Sequence, residues 1–154
     1  MRHRSRLLEI LIKKVTPAGF ERLCQLLLRE EGFEQVEITG RSGDGGIDGY
    51  GILSINSLVS FKVIFQCKRY SGVISPDKVR DFRGAMAGRA DKGIILTTGT
   101  FTTAAKAEAV RDGVAEINLI DVEALMERFK SLKLGLVPKT VFEIDAAFFD
   151  EYCR

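Results

Sequence analysis

The chain has 154 residues, 45% apolar and 29% charged, with a net charge of +2. This mixture excludes intrinsic disorder, and the length suits one domain with a substantial core. No apolar run approaches the roughly 20 residues that span a bilayer, and Arg2 to Arg6 lead into an amphipathic stretch, unlike the apolar core of a signal peptide.

Taken in chain order, Arg6 to Lys14 reads as a short amphipathic helix. Thr16-Pro17 looks like an N-cap followed by proline at the first helical position. Phe20, Leu23, Cys24, Leu27 and Leu28 follow at helical spacing, and Gly32 closes that helix. Val36 to Thr39 is a first strand. A glycine-rich segment, Gly40 to Gly46, leads into a second strand over Ile47 to Leu53. Asn56-Ser57 marks a turn, and Phe61 to Tyr70 is a third strand.

Ser75-Pro76 is expected to cap a helix ending near Arg89. Gly93 to Thr98 has the apolar character of a strand buried on both faces of a parallel sheet. Thr102 to Asp112 is a helix ended by Gly113. Ile117 to Ile120 is the last strand, and Asp121 caps a helix to about Lys130. The tail from Ser131 holds Pro138 and the aromatics Phe142, Phe148 and Phe149, and is expected to pack as a short helix. A meander followed by two crossovers predicts an α/β fold, an α/β/α sandwich around a mixed sheet. One domain is expected over 1–154, with a core at about 16–130 and an extension at 131–154.

The only histidine is His3. That removes a Ser-His-Asp triad and a His-Glu-x-x-His zinc site. Cys24, Cys67 and Cys153 have no Cys-x-x-Cys spacing and read as reduced thiols, which points to the cytoplasm. Chemistry must therefore run on carboxylates, amides, lysines and a metal. Arg41-Ser-Gly-Asp-Gly-Gly-Ile-Asp48 and Gln66-Cys-Lys68 supply that set. Strand alternation points Gln66 and Lys68 one way and Cys67 the other, with Val63 and Phe65. Asp48 begins the neighbouring strand of a hairpin and lies across from the pair. A carboxylate, an amide oxygen and an ammonium in one volume suit phosphodiester hydrolysis with a hard divalent cation. Glu21, at the edge of its helix's apolar stripe, is a second acid, and Asp44 competes with it.

Each of these residues has a plainer reading. Gln66 and Lys68 alone would be a solvated strand face, Glu21 a helix-surface charge, Asp44 a turn former and Cys67 a core thiol. The glycines do not form a dinucleotide site, because they precede a strand and lack Gly-x-Gly-x-x-Gly. A calcium loop starting at Asp44 fails at its twelfth position, Ile55. Basic residues crowd the middle of the chain, and Arg41, Ser42, Arg69, Lys78, Arg80 and Arg83 are the candidate phosphate contacts.

The stretch from about Thr16 to Phe129 resembles the catalytic domain of the Mrr-type restriction endonucleases. That group belongs to the PD-(D/E)xK nuclease superfamily, in the variant where glutamine replaces an acid. The resemblance rests on Phe20-Glu21, Gly32-Phe33, the run from Thr39 to Gly49, Phe65-Gln-Cys-Lys-Arg-Tyr70, Gly93-Ile-Ile-Leu-Thr-Thr98 and Leu119-Ile-Asp121, all in family order. It implies a restriction-endonuclease-like sandwich with Asp48 as the metal-binding acid, Gln66 as the substituted acid, Lys68 as the catalytic lysine and Glu21 as the helix acid. It further implies Mg2+, with Mn2+ as a substitute, and cleavage of double-stranded DNA, often methylated. Cutting both strands suggests a homodimer. Relatives carry a separate recognition domain, so a further domain or a partner protein is expected to read the DNA. The rival readings are a Holliday-junction-resolving or repair nuclease of the same superfamily, and a DNA-binding module without chemistry, which the glutamine makes credible.

Overall fold

The computed structural model describes residues 2–39 and 47–154. Arg41, Ser42 and Asp44 lie outside the described residues. Helix α1 spans Arg2–Glu9 and continues as a π-helical turn, Ile10–Lys14. The single amphipathic helix expected over 6–14 thus starts earlier and changes winding in its second half. Helix α2 spans Pro17–Glu30; the Thr16 hydroxyl accepts from the Gly19 amide at 2.9 Å, and Pro17 takes the first turn. Gly32 follows with φ +101°, a conformation that only glycine enters cheaply.

Strands β1 (Glu34–Ile38), β2 (Gly49–Ser54) and β3 (Ser60–Lys68) form an antiparallel meander. The Asn56 side chain makes the β2–β3 turn, accepting from the amides of Leu58 and Val59. After a two-residue strand β4 (Val73–Ile74) come α3 (Pro76–Met86), β5 (Lys92–Thr97), β6 (Thr100–Phe101), α4 (Thr103–Ala109), β7 (Ile117–Ile120) and α5 (Val122–Leu132). The main sheet runs β1-β2-β3-β5-β7, with β5 parallel to both β3 and β7. β4 and β6 pair as a separate parallel ribbon that the sequence did not announce.

Alternation along the strands divides the core. Phe65, Cys67 and Leu96 face α2 and α5, where they meet Phe20, Cys24, Leu27, Leu125 and Phe129. Ile64 and Ile95 face α3 and α4, against Val79, Phe82, Met86 and Ala105. Helices therefore cover both sheet faces, the α/β/α sandwich with a mixed central sheet that the element order predicts. Gly93 lets α3 sit close, since a Cβ there would come within 2.5 Å of the Phe82 ring.

Two local expectations are adjusted. Ser75 does take the N-cap position of α3, with Pro76 opening the helix, but its hydroxyl donates to the Asp77 carboxylate and makes no cap bond to a backbone amide. The tail does form a short helix, α6 (Ala146–Asp150), but it does not pack: Phe142, Phe148 and Phe149 stay exposed. No helix among the described residues is long and apolar enough to cross a membrane.

Candidate active site

The β2–β3 pairing stops at Gly49 opposite Phe65. Beyond it β3 runs on through Gln66, Cys67 and Lys68, paired only with β5 on its other side. Asp48 fills the vacated edge. Its amide donates to the Phe65 carbonyl at 2.9 Å, and its Oδ2 accepts from the Cys67 amide at 2.6 Å. The carboxylate thus satisfies a strand N–H that would otherwise lack a partner. Thr39 holds the same residue from β1's end, its amide donating to the Asp48 carbonyl at 2.8 Å. Gly49 is required next to it: a Cβ there would lie 2.1 Å from the Glu37 carbonyl and 2.5 Å from the Phe65 ring.

Burial raises the Asp48 carboxyl, the Cys67 amide lowers it, and the Glu21 carboxylate raises it again. The balance pushes it from 3.8 up to about 6. Glu21 is half-buried in the first turns of α2, near enough for this repulsion to be felt. The Glu21 carboxylate thus acts on Asp48 near the end of β3, and in sequence Gln66 stands between the two residues, Phe65 and Cys67, that anchor Asp48. Such a set of hard oxygen donors fits a magnesium-like cation, which favours one or two carboxylates and fills its remaining positions with water and phosphate. Among the described residues no cluster of three or more His, Cys, Asp or Glu exists.

Lys68, two residues beyond Gln66, lies half-buried, its Nζ 5.2 Å from the centroid of the Tyr70 ring. The backbone here is fixed by two threonines that sequence reasoning quoted but gave no role. Thr97 Oγ1 donates to the Lys68 carbonyl at 2.8 Å. Thr98 Oγ1 accepts from the Tyr70 amide at 2.7 Å and donates to the Tyr70 carbonyl at 2.9 Å. Both threonines are buried polar residues, a signal invisible until the neighbouring strand is known.

Cys67 lies beneath the site in contact with Cys24, and burial pushes its thiol well up, as expected of a core cysteine. The basic residues divide. Lys78 and Arg80 are exposed on α3. Arg83 is turned inward: it donates to the Glu108 carboxylate at 2.8 Å and to the carbonyls of Glu108, Ala109 and Ala115. These bonds clamp α3 to α4 and occupy the Arg83 guanidinium. Arg69 likewise turns back, donating to the Ile12 carbonyl in the π-helical turn. Both inward turns have one cause: carbonyls left open at or just beyond helix ends draw in the nearest guanidinium.

A mixed sheet between helical layers, with an acid, an amide and a lysine on adjoining strands, defines a restriction-endonuclease-like fold. Solved structures agree. The DNA modification-dependent restriction endonuclease AspBHI superposes with a TM-score of 0.74 at 21% identity, over 88% of this chain and 37% of that one. MspJI restriction endonuclease, solved in complex with a 27-mer oligonucleotide, gives 0.65 at 26% identity, over 84% and 30%. The chain belongs to the Mrr catalytic-domain family, described as restriction endonuclease, whose family model matches residues 12–129. It is 30% identical over 144 residues to the type IV methyl-directed restriction enzyme EcoKMrr of Escherichia coli (strain K12), across 89% of this chain and 46% of that enzyme. An uncharacterized mitochondrial protein of Schizosaccharomyces pombe is 36% identical over 88 residues, across 54% of this chain and 35% of that protein. The chain thus spans less than half the length of these relatives.

Proposed function

We propose that the chain is the catalytic domain of a magnesium-dependent endonuclease that hydrolyses phosphodiester bonds in modified double-stranded DNA. The observation that carries this reading is the Asp48 carboxylate, held at 2.6 Å by the Cys67 amide between Gln66 and Lys68. Asp48, Glu21 and the Gln66 amide oxygen would hold the cation. When bound, such an ion acidifies water and neutralises charge gathering on the phosphate. Lys68 faces the scissile phosphate and stabilises its developing charge, while the Tyr70 ring steadies the ammonium. Lys78 and Arg80 track the DNA backbone. Reading of the modification belongs to a recognition domain or a partner protein, and the cytoplasm is the setting.

Plasmid cleavage by purified protein with magnesium or manganese tests this, beside Asp48→Ala and Lys68→Ala, on methylated and unmethylated DNA. Nicking or linearisation lost in both variants supports the assignment. Equal cleavage by the variants would sink it. The presence of Gln66 in place of an acid favours one second reading, a DNA-binding module without chemistry. Calorimetry separates the two: no uptake of millimolar magnesium, with duplex affinity retained, selects the module.

A further inference from the structure

Leu134 and Leu136 still pack on the core, but from Val137 onward every residue is exposed. The family match ends before this arm. Phe142 is 93% exposed and Ile144 82%, and Phe148, Phe149 and Tyr152 stack only on one another, with ring centroids 5.1 and 5.7 Å apart. A helix as short as α6 is not stable alone in water, and apolar surface displayed this way marks a docking element. The arm is also one-signed: residues 140–152 hold Glu143, Asp145, Asp150 and Glu151 and no base.

Its complement lies at its own root. A hollow of about 570 Å³ is lined by His3, Leu136, Val137 and Pro138 and rimmed by Lys130, Lys133 and Lys139. No ion pair among the described residues uses these three lysines. Apolar floor and basic rim match an aromatic, acidic segment. Because the hollow sits where the arm leaves the fold, two copies can exchange arms reciprocally, and such an exchange closes on a two-fold axis.

We propose that residues 140–152 of one copy seat in the basic, apolar hollow at the arm root of a second copy, making the chain an arm-exchanged dimer. The arms' aromatic rings alone would remove on the order of 1,000 Å² from water, before the receiving surfaces are added, against about 1,200–2,000 Å² for a stable interface. The inference supplies an interface for the two-strand cleavage proposed above, yet it is read by mass and not by cleavage, so either proposal can fail without the other.

Sedimentation of the full chain at micromolar concentration is the test. The expected result is a dimer whose dissociation constant rises at least tenfold in Phe148→Asp/Phe149→Asp and in Lys130→Glu/Lys133→Glu, and rises with salt. Combining Lys130→Glu/Lys133→Glu with Asp150→Lys/Glu151→Lys in one chain should restore the dimer. Thermal unfolding of each variant at a concentration low enough to dissociate the parent checks that the core is intact; the arm residues are exposed in the single chain, so the midpoints should match there. A monomer at every concentration, whether its arm is protease-sensitive or protected by folding onto its own hollow, overturns the proposal. So does a dimer indifferent to both variant pairs.

Discussion

The amide of Cys67 donates to the Asp48 carboxylate at 2.6 Å, although the two residues are 19 apart in the chain. This bond makes the proposed metal-binding acid part of the sheet. It also ties the acid's ionisation to the fold, because the bond favours the charged form while burial and Glu21 oppose it.

The first prediction concerns pH. With its carboxyl raised from 3.8 to about 6, Asp48 binds its proton more tightly folded than unfolded. The protonated form's contribution to stability is therefore full below pH 3.8 and is lost as pH rises through 6. A cation must displace that proton. Magnesium affinity is expected to climb about tenfold per pH unit below 6 and to level off above it. Calorimetric titration between pH 5 and 8 measures this, and a flat profile across that range would refute it.

Asp48→Asn should stabilise the metal-free domain at pH 8. The amide keeps an oxygen for the Cys67 N–H and removes the charge that burial and Glu21 oppose. After allowance for solvent screening of a part-exposed group, the gain is about 1 kcal/mol. Thermal unfolding reads it. The same variant should lose magnesium binding and cleavage.

Arg83 and Lys78 should part company. Arg83→Ala leaves the buried Glu108 carboxylate, now 2.8 Å from its guanidinium, with only the more exposed Arg80 and Arg111 nearby. A loss of about 3 kcal/mol in stability is expected. Lys78→Ala, on exposed surface, should leave stability within about 0.5 kcal/mol and weaken duplex binding with a shallower salt dependence. Denaturant melts and fluorescence anisotropy at two salt concentrations distinguish them.

Thr98→Val removes both bonds to Tyr70 while nearly conserving volume. The part-buried Tyr70 amide then loses its partner, costing about 1 kcal/mol. Since Lys68 lies on the same short segment, turnover should fall more than DNA affinity does. Thr98→Ser, which keeps the hydroxyl, should recover both, and a serine variant no better than valine would count against this positioning role.

How legible was this in the sequence? Strand β7 and the sandwich order could be read directly, since apolar runs set between helix caps and glycines have few other uses. The juxtaposition of Asp48 with Gln66 and Lys68 followed from alternation and from the glycines that precede the acid. Glu21's half-buried place was visible at the edge of a helical stripe. What sequence could not show is whom a side chain meets across long separations. Arg69 reaches a carbonyl 57 residues away and Arg83 one 25 residues away, so neither could be told from the exposed Lys78. Strands β4 and β6, two residues each, are too short to carry a pattern. The tail's aromatics suggested packing, and the fold offers them none.

Among the described residues four bonds hold Asp48, and they come from Thr39, Phe65 and Cys67, on or beside β1 and β3. Three of the four run through the Asp48 backbone and one through its carboxylate. The residue's mooring is thereby largely indifferent to its own side chain: a replacement that empties the proposed acid position keeps the main-chain ties that set its place. A slip of either flanking strand would instead carry the carboxylate off its spot with its chemistry intact.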